Sequence, residues 1–150
     1  IEAICNDPLI RVWTAFDSAP MFDATSSLTA PSFCVIGDEG CFVANALDST
    51  RYVIHTNLLP EHRGERAVAI SSEALALAFL TTDATELLTM VPATVPQARL
   101  LARHMGFRLL FNRQKVWPVL GELHAVGFYS LSLDDWIMSG KCSASGHAFH

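Results

Sequence analysis

The sequence predicts an α/β fold: a mixed sheet in which an antiparallel meander precedes a parallel β-α-β unit, with helices on both faces. Three observations predict it. Short apolar runs at 33–36 and 41–46 flank Gly37-Asp38-Glu39-Gly40, a hairpin signal. A third apolar run, 52–58, turns at Arg63-Gly64 into a long apolar segment, 65–80. A further strand, 86–91, follows at once. Strand, helix and strand with short joints imply a parallel pair with a right-handed crossover.

Each element has its own warrant. Residues 1–4 read as the end of a first strand. Asn6 or Asp7 caps a helix with Pro8 in its first turn. Leu9, Val12, Trp13 and Phe16 give that helix one apolar face. Residues 17–31, rich in Ser, Thr, Ala and Pro, read as a loop. Asp48-Ser49 begins the turn before the third strand. The segment 65–80 is apolar nearly all round, through Ala67, Ile70, Ala74, Leu75, Leu77, Ala78 and Phe79, so it belongs in the interior. Pro96 opens a helix whose Ala98, Leu101, Ala102 and Met105 share a face, and Gly106 closes it. Strands are expected over 107–111 and 125–131, joined by a loop near Trp117-Pro118. Asp134-Asp135-Trp136 then ends the last strand in a turn. The three tryptophans, Trp13, Trp117 and Trp136, read as core. One domain over 1–138 and a flexible tail over 139–150 account for the chain.

Composition narrows the function classes. Half the residues are hydrophobic (51%) and only 17% are charged, which excludes a disordered chain. The apolar excess fits a well-filled core or a surface covered by a partner. A net charge of −5 without a basic cluster argues against sequence-independent nucleic-acid binding. Arg99 and Arg103, four apart, read as the solvated face of their helix. No run approaches the roughly 20 apolar residues of a membrane span. The opening residues carry Glu2 and Asp7 and no basic stretch, so they do not read as a signal peptide. Ile1 rather than Met opens the chain, which leaves open whether further residues precede it.

The cysteines are Cys5, Cys34, Cys41 and Cys142. A Cys34–Cys41 bridge across the hairpin is geometrically conceivable, and free buried thiols are the expectation without a secretory segment. Cys142, His147 and His150 supply three ligands where a structural zinc needs four, so no metal site is expected.

The stretch Leu59-Pro60-Glu61-His62-Arg63-Gly64-Glu65-Arg66 carries the most chemistry. A strand turning tightly into a helix presents backbone N–H groups and the positive end of the helix dipole, which together make an anion site. Gly64 allows close approach, and Arg63 adds a charge-assisted bond. A structural explanation competes: Gly64 is a turn residue, and the Glu65 carboxylate stabilises the helix end by roughly 0.3–1 kcal/mol without any ligand.

A second motif, Ala98-x-x-Leu101-x-x-x-Met105-Gly106-Phe107, lies downstream. With the Arg-Gly turn and the element order, it resembles the GNAT superfamily of N-acetyltransferases over about residues 33–136. The wording is most similar to GNAT-like proteins carried by tailed bacteriophages. The resemblance implies acetyl-CoA as cofactor, bound by its pyrophosphate at Arg63, Gly64, Glu65, Arg66 and Ala67. It implies pantetheine between strands 52–58 and 86–91, a thioester carbonyl polarised by a backbone N–H, and acetyl transfer to an amine. His55, on the strand before the turn, is then the candidate base. A hydrogen-bonded sheet histidine is the structural alternative. Glu61, His62 and His124 are weaker candidates. Acceptor specificity would lie in the irregular segments 17–31 and 112–124.

The chain departs from the family pattern at four places. Glu61 stands for Gln or Arg and Arg66 for Gly or Ala in the turn. Val95 stands for the Asn of the second motif and Ala102 for the Tyr that protonates the departing sulfur. An alternative function follows: a non-catalytic scaffold, serving as a virion component or interaction module with phage or host protein partners. Its location would be the virion or the host cytoplasm.

Overall fold

Alternation of side chains along the strands sorts the sheet into two faces. The computed structural model describes residues 2–6, 8, 11, 21, 23, 33–38 and 40–140. Strands β1 (Phe33–Gly37), β2 (Gly40–Ala46) and β3 (Arg51–Leu58) form the expected antiparallel meander. At the β1–β2 hairpin Gly37 pairs with Gly40. A Cβ on Gly40 would stand 2.1 Å from the Asn57 carbonyl oxygen, so only glycine lets β2 lie this close to β3. Asp48 shapes the next turn: its Oδ1 accepts from the Thr50 and Arg51 amides at 3.0 and 2.8 Å. Those two amides and the Arg51 guanidinium hold the Asp48 carboxyl below its ordinary pKa, the Thr50 amide most of all.

Helix α2 (Glu65–Thr81) crosses from β3 to β4 (Glu86–Pro92), which runs parallel to β3. Helix α3 (Pro96–His104) follows, and Gly106, at φ 98°, ends it in a conformation that favours glycine. Strands β5 (Arg108–Val119) and β6 (Glu122–Ser132) and the short α4 (Leu133–Met138) complete the order. The six strands lie in the order β1-β2-β3-β4-β6-β5. The main core sits on one face. Tyr52 and Ile54 of β3, Leu87 and Val91 of β4 and Tyr129 and Leu131 of β6 meet α2, α3 and α4 there. Trp136 of α4 stacks on Phe79 of α2 with ring centroids 5.1 Å apart. A helix on the opposite face, α1 (Glu2–Cys5), packs on Cys41 and Val43 of β2.

Several expectations are corrected. Glu2–Cys5 is helical, not the end of a strand, and Cys5 anchors it to β2. No loop occurs near Trp117-Pro118; β5 runs through both to Val119 and turns at Leu120-Gly121, with φ of 53° and 79°. Pro118 is tolerated because β5 is an edge strand, where a missing N–H costs no ladder bond. Residues 112–124 are therefore mostly regular hairpin rather than an irregular segment. Asp134, Asp135 and Trp136 belong to α4, which Ser132 caps by accepting from the Asp135 amide at 3.1 Å. Arg99 is not simply solvated: its Nε and Nη2 are buried without a hydrogen-bond partner among the described residues. Trp117 is only half-buried and is not core. The expected helix carrying Leu9, Val12, Trp13 and Phe16, the loop at 17–31 and the tail beyond Gly140 fall largely outside the described residues. So do the side chains of Cys34 and Cys142.

Candidate functional site

The site begins where two strands part. β3 and β4 are in register over three pairs only: Arg51 with Glu86, Tyr52 with Leu87, and Val53 with Leu88. Beyond them each strand keeps its other neighbour. β3 stays paired with β2 as far as Leu58, and β4 stays paired with β6 as far as Pro92. The sheet therefore forks without stripping either outer ladder of its hydrogen bonds. The Thr89 hydroxyl sits at the crotch, donating to the Ile54 carbonyl at 3.2 Å.

The fork opens into a cleft of about 710 Å³, within the range of small-molecule sites. It lies between the carboxyl-terminal halves of the parallel strands, on the side where open α/β sheets bind ligands. Its walls come from β3, β4, α2 and α3, with Trp117 of β5 at one side. The walls are mainly apolar, with a few polar groups converging on them.

The turn at the cleft's mouth is built by local geometry. Pro60–His62 makes one 3₁₀ turn, and Arg63 follows in an extended conformation. Gly64 then takes φ 80° and ψ −135°, a region that L side chains rarely enter. Among the described residues no atom beyond its chain neighbours lies within 4 Å of where its Cβ would be, so conformation rather than crowding selects glycine. The Ala67 amide donates to the Gly64 carbonyl at 3.1 Å. The amides ahead of it sit at the helix end, with the positive pole of the dipole.

The predicted cofactor residues divide. Arg63, Gly64 and Ala67 line the cleft. Glu65 and Arg66 are exposed in the first turn of α2 and do not line it.

His55 lines the cleft from β3. Its side chain is exposed to solvent at the cleft wall, yet neighbouring atoms partly desolvate the ring. That burial holds its imidazole below the ordinary histidine pKa. Its ring is therefore mostly neutral at pH 7, as a proton acceptor must be. Of the weaker candidates, Glu61 and His62 lie at the 3₁₀ turn outside the cleft lining. His124 is on β6, 3.9 Å from the Glu122 carboxylate and outside the cleft lining.

Val95 and Ala102 both line the cleft, so the positions of the two missing polar groups are brought to it. Sequence reasoning overlooked Ser71. This α2 residue is 4% exposed, lines the cleft, and its Oγ has no hydrogen-bond partner among the described residues. The signal was present: Ser71-Ser72 interrupts an otherwise apolar helix. Ser72 is satisfied within the helix, donating to the Val68 carbonyl at 2.8 Å, and Ser71 is not. Trp117 was missed as a cleft residue because its strand was read as a loop. Among the described residues no cluster of His, Cys, Asp and Glu could hold a metal ion. No helix among them is long and apolar enough to cross a membrane.

The architecture recurs in solved structures. Spermidine N-acetyltransferase from Vibrio cholerae, crystallised with CoA and spermine, superposes with a TM-score of 0.76 at 12% identity, covering 91% of this chain and 89% of that one. A variant of the same enzyme gives 0.64 at 16% identity, covering 73% and 69%. A structure described as a probable acetyltransferase gives 0.59 at 19% identity, covering 65% of this chain and 57% of its own length. The chain thus spans little more than half the length of this last relative. No protein-family model matches the chain, and no curated protein matches it in sequence. At these identities the likeness establishes the fold, which is that of the GNAT acetyltransferases.

Proposed function

We propose that the forked cleft binds acetyl-CoA and that the protein is an N-acetyltransferase. The observation that carries this reading is the fork itself, opening over a helix N-terminus whose turn glycine leaves the space before it clear. The fold shared with an enzyme crystallised with CoA supports it. The walls fit the ligand: an apolar slot suits pantetheine.

In this reading the amides at the start of α2 and the Arg63 guanidinium hold the pyrophosphate. The bound cofactor supplies an acetyl group already activated as a thioester. The unpaired edge of β3 beyond Val53 directs a backbone N–H at the developing oxyanion. His55 takes the proton that the attacking amine must lose, and its depressed pKa keeps it unprotonated for that task. Ala102 offers no proton to the leaving sulfur, so the thiol, with an ordinary pKa of about 8.5, departs as thiolate or takes its proton from water. Turnover should consequently be slow, by a factor on the order of 10²–10⁴ relative to a site with a positioned acid.

Val95 and Ala102, facing the cleft without polar groups, favour a second reading. In it the cleft survives in a non-catalytic scaffold, such as a phage virion component or an interaction module. One assay separates the two. Release of free thiol from acetyl-CoA is followed in the presence of a panel of primary amines. Amine-dependent release that disappears in His55→Ala supports the enzyme. Binding of acetyl-CoA with no release for any amine supports the scaffold.

A further inference from the structure

On the face of the sheet away from the main core, α1 brings Cys5 against β2. The Cys5 and Cys41 sulfurs lie 3.4 Å apart, and the two residues are 7% and 3% exposed. Asn57 of β3, also buried, points its Nδ2 at both, 3.5 Å from the Cys5 sulfur and 3.7 Å from that of Cys41. Neither cysteine is in a disulfide. The β1–β2 register sets Cys41 opposite Ile36 and Cys34 opposite Val43, so the two cysteines of the hairpin are not directly opposed, and Cys5 and Cys41 are the free buried thiols the sequence led us to expect.

A disulfide bond is about 2.05 Å long, so closure requires the sulfurs to approach by about 1.4 Å. β2 is paired along both edges, with β1 and with β3, and holds its place. α1 is four residues long and meets the sheet through Ile4 and Cys5, so closure asks the smaller element to move. The hydrogen bond with Cys5, joined by that from Asn57, brings the Cys41 thiol down to about 7 against the opposing effect of burial. The neighbouring donors thus favour the thiolate of Cys41, the form that reacts.

We propose that Cys5 and Cys41 are a dithiol that a small peroxide converts, reversibly, to a disulfide tying α1 to the sheet. The Cys41 thiolate attacks one peroxide oxygen. The O–O bond breaks, and the departing hydroxide takes a proton to become water. Cys41 is left as a sulfenic acid. The Cys5 sulfur then attacks the Cys41 sulfur, the S–O bond breaks, and the oxygen leaves as a second water with the Cys5 proton. Two thiols have lost two electrons, and hydrogen peroxide has become two waters. A small oxidant is required because both sulfurs are buried, and a thiol reductant reverses the step by exchange. The inference is independent of acetyl transfer.

The test treats the folded chain with hydrogen peroxide, alkylates the remaining thiols and maps the peptides without reduction. The expected product is a Cys5–Cys41 cross-linked peptide that dithiothreitol abolishes. In Cys5→Ser the cross-link is lost, and Cys41 is trapped by dimedone as the sulfenic acid. The wild-type map decides the matter even where that variant folds poorly. A link from Cys41 to Cys34 or Cys142 would overturn the proposal. So would peroxide that oxidises other cysteines while Cys5 and Cys41 both remain free for alkylation on unfolding.

Discussion

Replacing Gly64 by alanine isolates the conformational demand of the turn. The residue holds φ 80° and ψ −135°, and no other described residue reaches within 4 Å of its Cβ position. The cost is therefore one of backbone conformation with no steric part. An L residue held in such a region costs about 1–3 kcal/mol. For a chain of this size, 1 kcal/mol lowers the melting temperature by about 2–4 °C, so a 2 kcal/mol penalty lowers it by about 4–8 °C. Because nothing crowds the site, Gly64→Ser and Gly64→Leu should cost nearly the same as Gly64→Ala. Melts followed by circular dichroism on the three variants make the comparison. An unchanged melting temperature would show that the turn does not need this conformation. A penalty that climbs with side-chain volume would show that crowding, not the backbone, selects glycine.

Gly40→Ala should behave in the opposite manner: its Cβ meets Asn57 and Leu58 backbone, so the loss should exceed that of Gly64→Ala and reach about 3 kcal/mol. An equal or smaller loss in urea melts would mean that β2 shifts freely against β3. His55 has a native pKa below that of the unfolded chain, which lies near 6.5. The unfolded state therefore binds the extra proton first, and stability falls as pH drops below about 6.5. His55→Gln should remove that part of the acid loss, and superimposable wild-type and variant curves would refute the assignment. The acid limb of kcat/KM should likewise fall below 6.5. Ala102→Tyr should raise kcat by 10-fold or more if the leaving sulfur lacks a proton donor, on the order of what a positioned acid contributes. A kcat unchanged in a well-folded variant would place the sulfur elsewhere.

The legible parts of the fold were those fixed by local chemistry. The Gly37–Gly40 hairpin, the apolar helix after Gly64 and the Pro96-to-Gly106 helix all carry punctuation that acts within a few residues. The β5–β6 hairpin was hidden because Trp117-Pro118 resembles a loop and Leu120 is a poor marker for a residue at φ 53°. Only the edge position of β5, a long-range fact, excuses the proline. α4 carried a readable cap in Ser132 and Asp135, but two acidic residues before a tryptophan suggested a turn. The turn half of the site was visible for the same local reason as the helix. The fork was implied only by the family resemblance, which puts pantetheine between the two strands; where the parting begins depends on which neighbour each strand keeps, and no local pattern marks it. Cys5 and Cys41 meet through that same tertiary arrangement, 36 residues apart.

Titration calorimetry of acetyl-CoA into the protein, run beside Arg63→Ala, tests the central claim most directly. The account predicts saturable one-to-one binding to the wild type and its loss, or a weakening on the order of 10-fold or more, in the variant, as expected for a charge-assisted contact to phosphate worth about 1.5–3 kcal/mol. No heat at millimolar acetyl-CoA, or undiminished binding in Arg63→Ala, would contradict it.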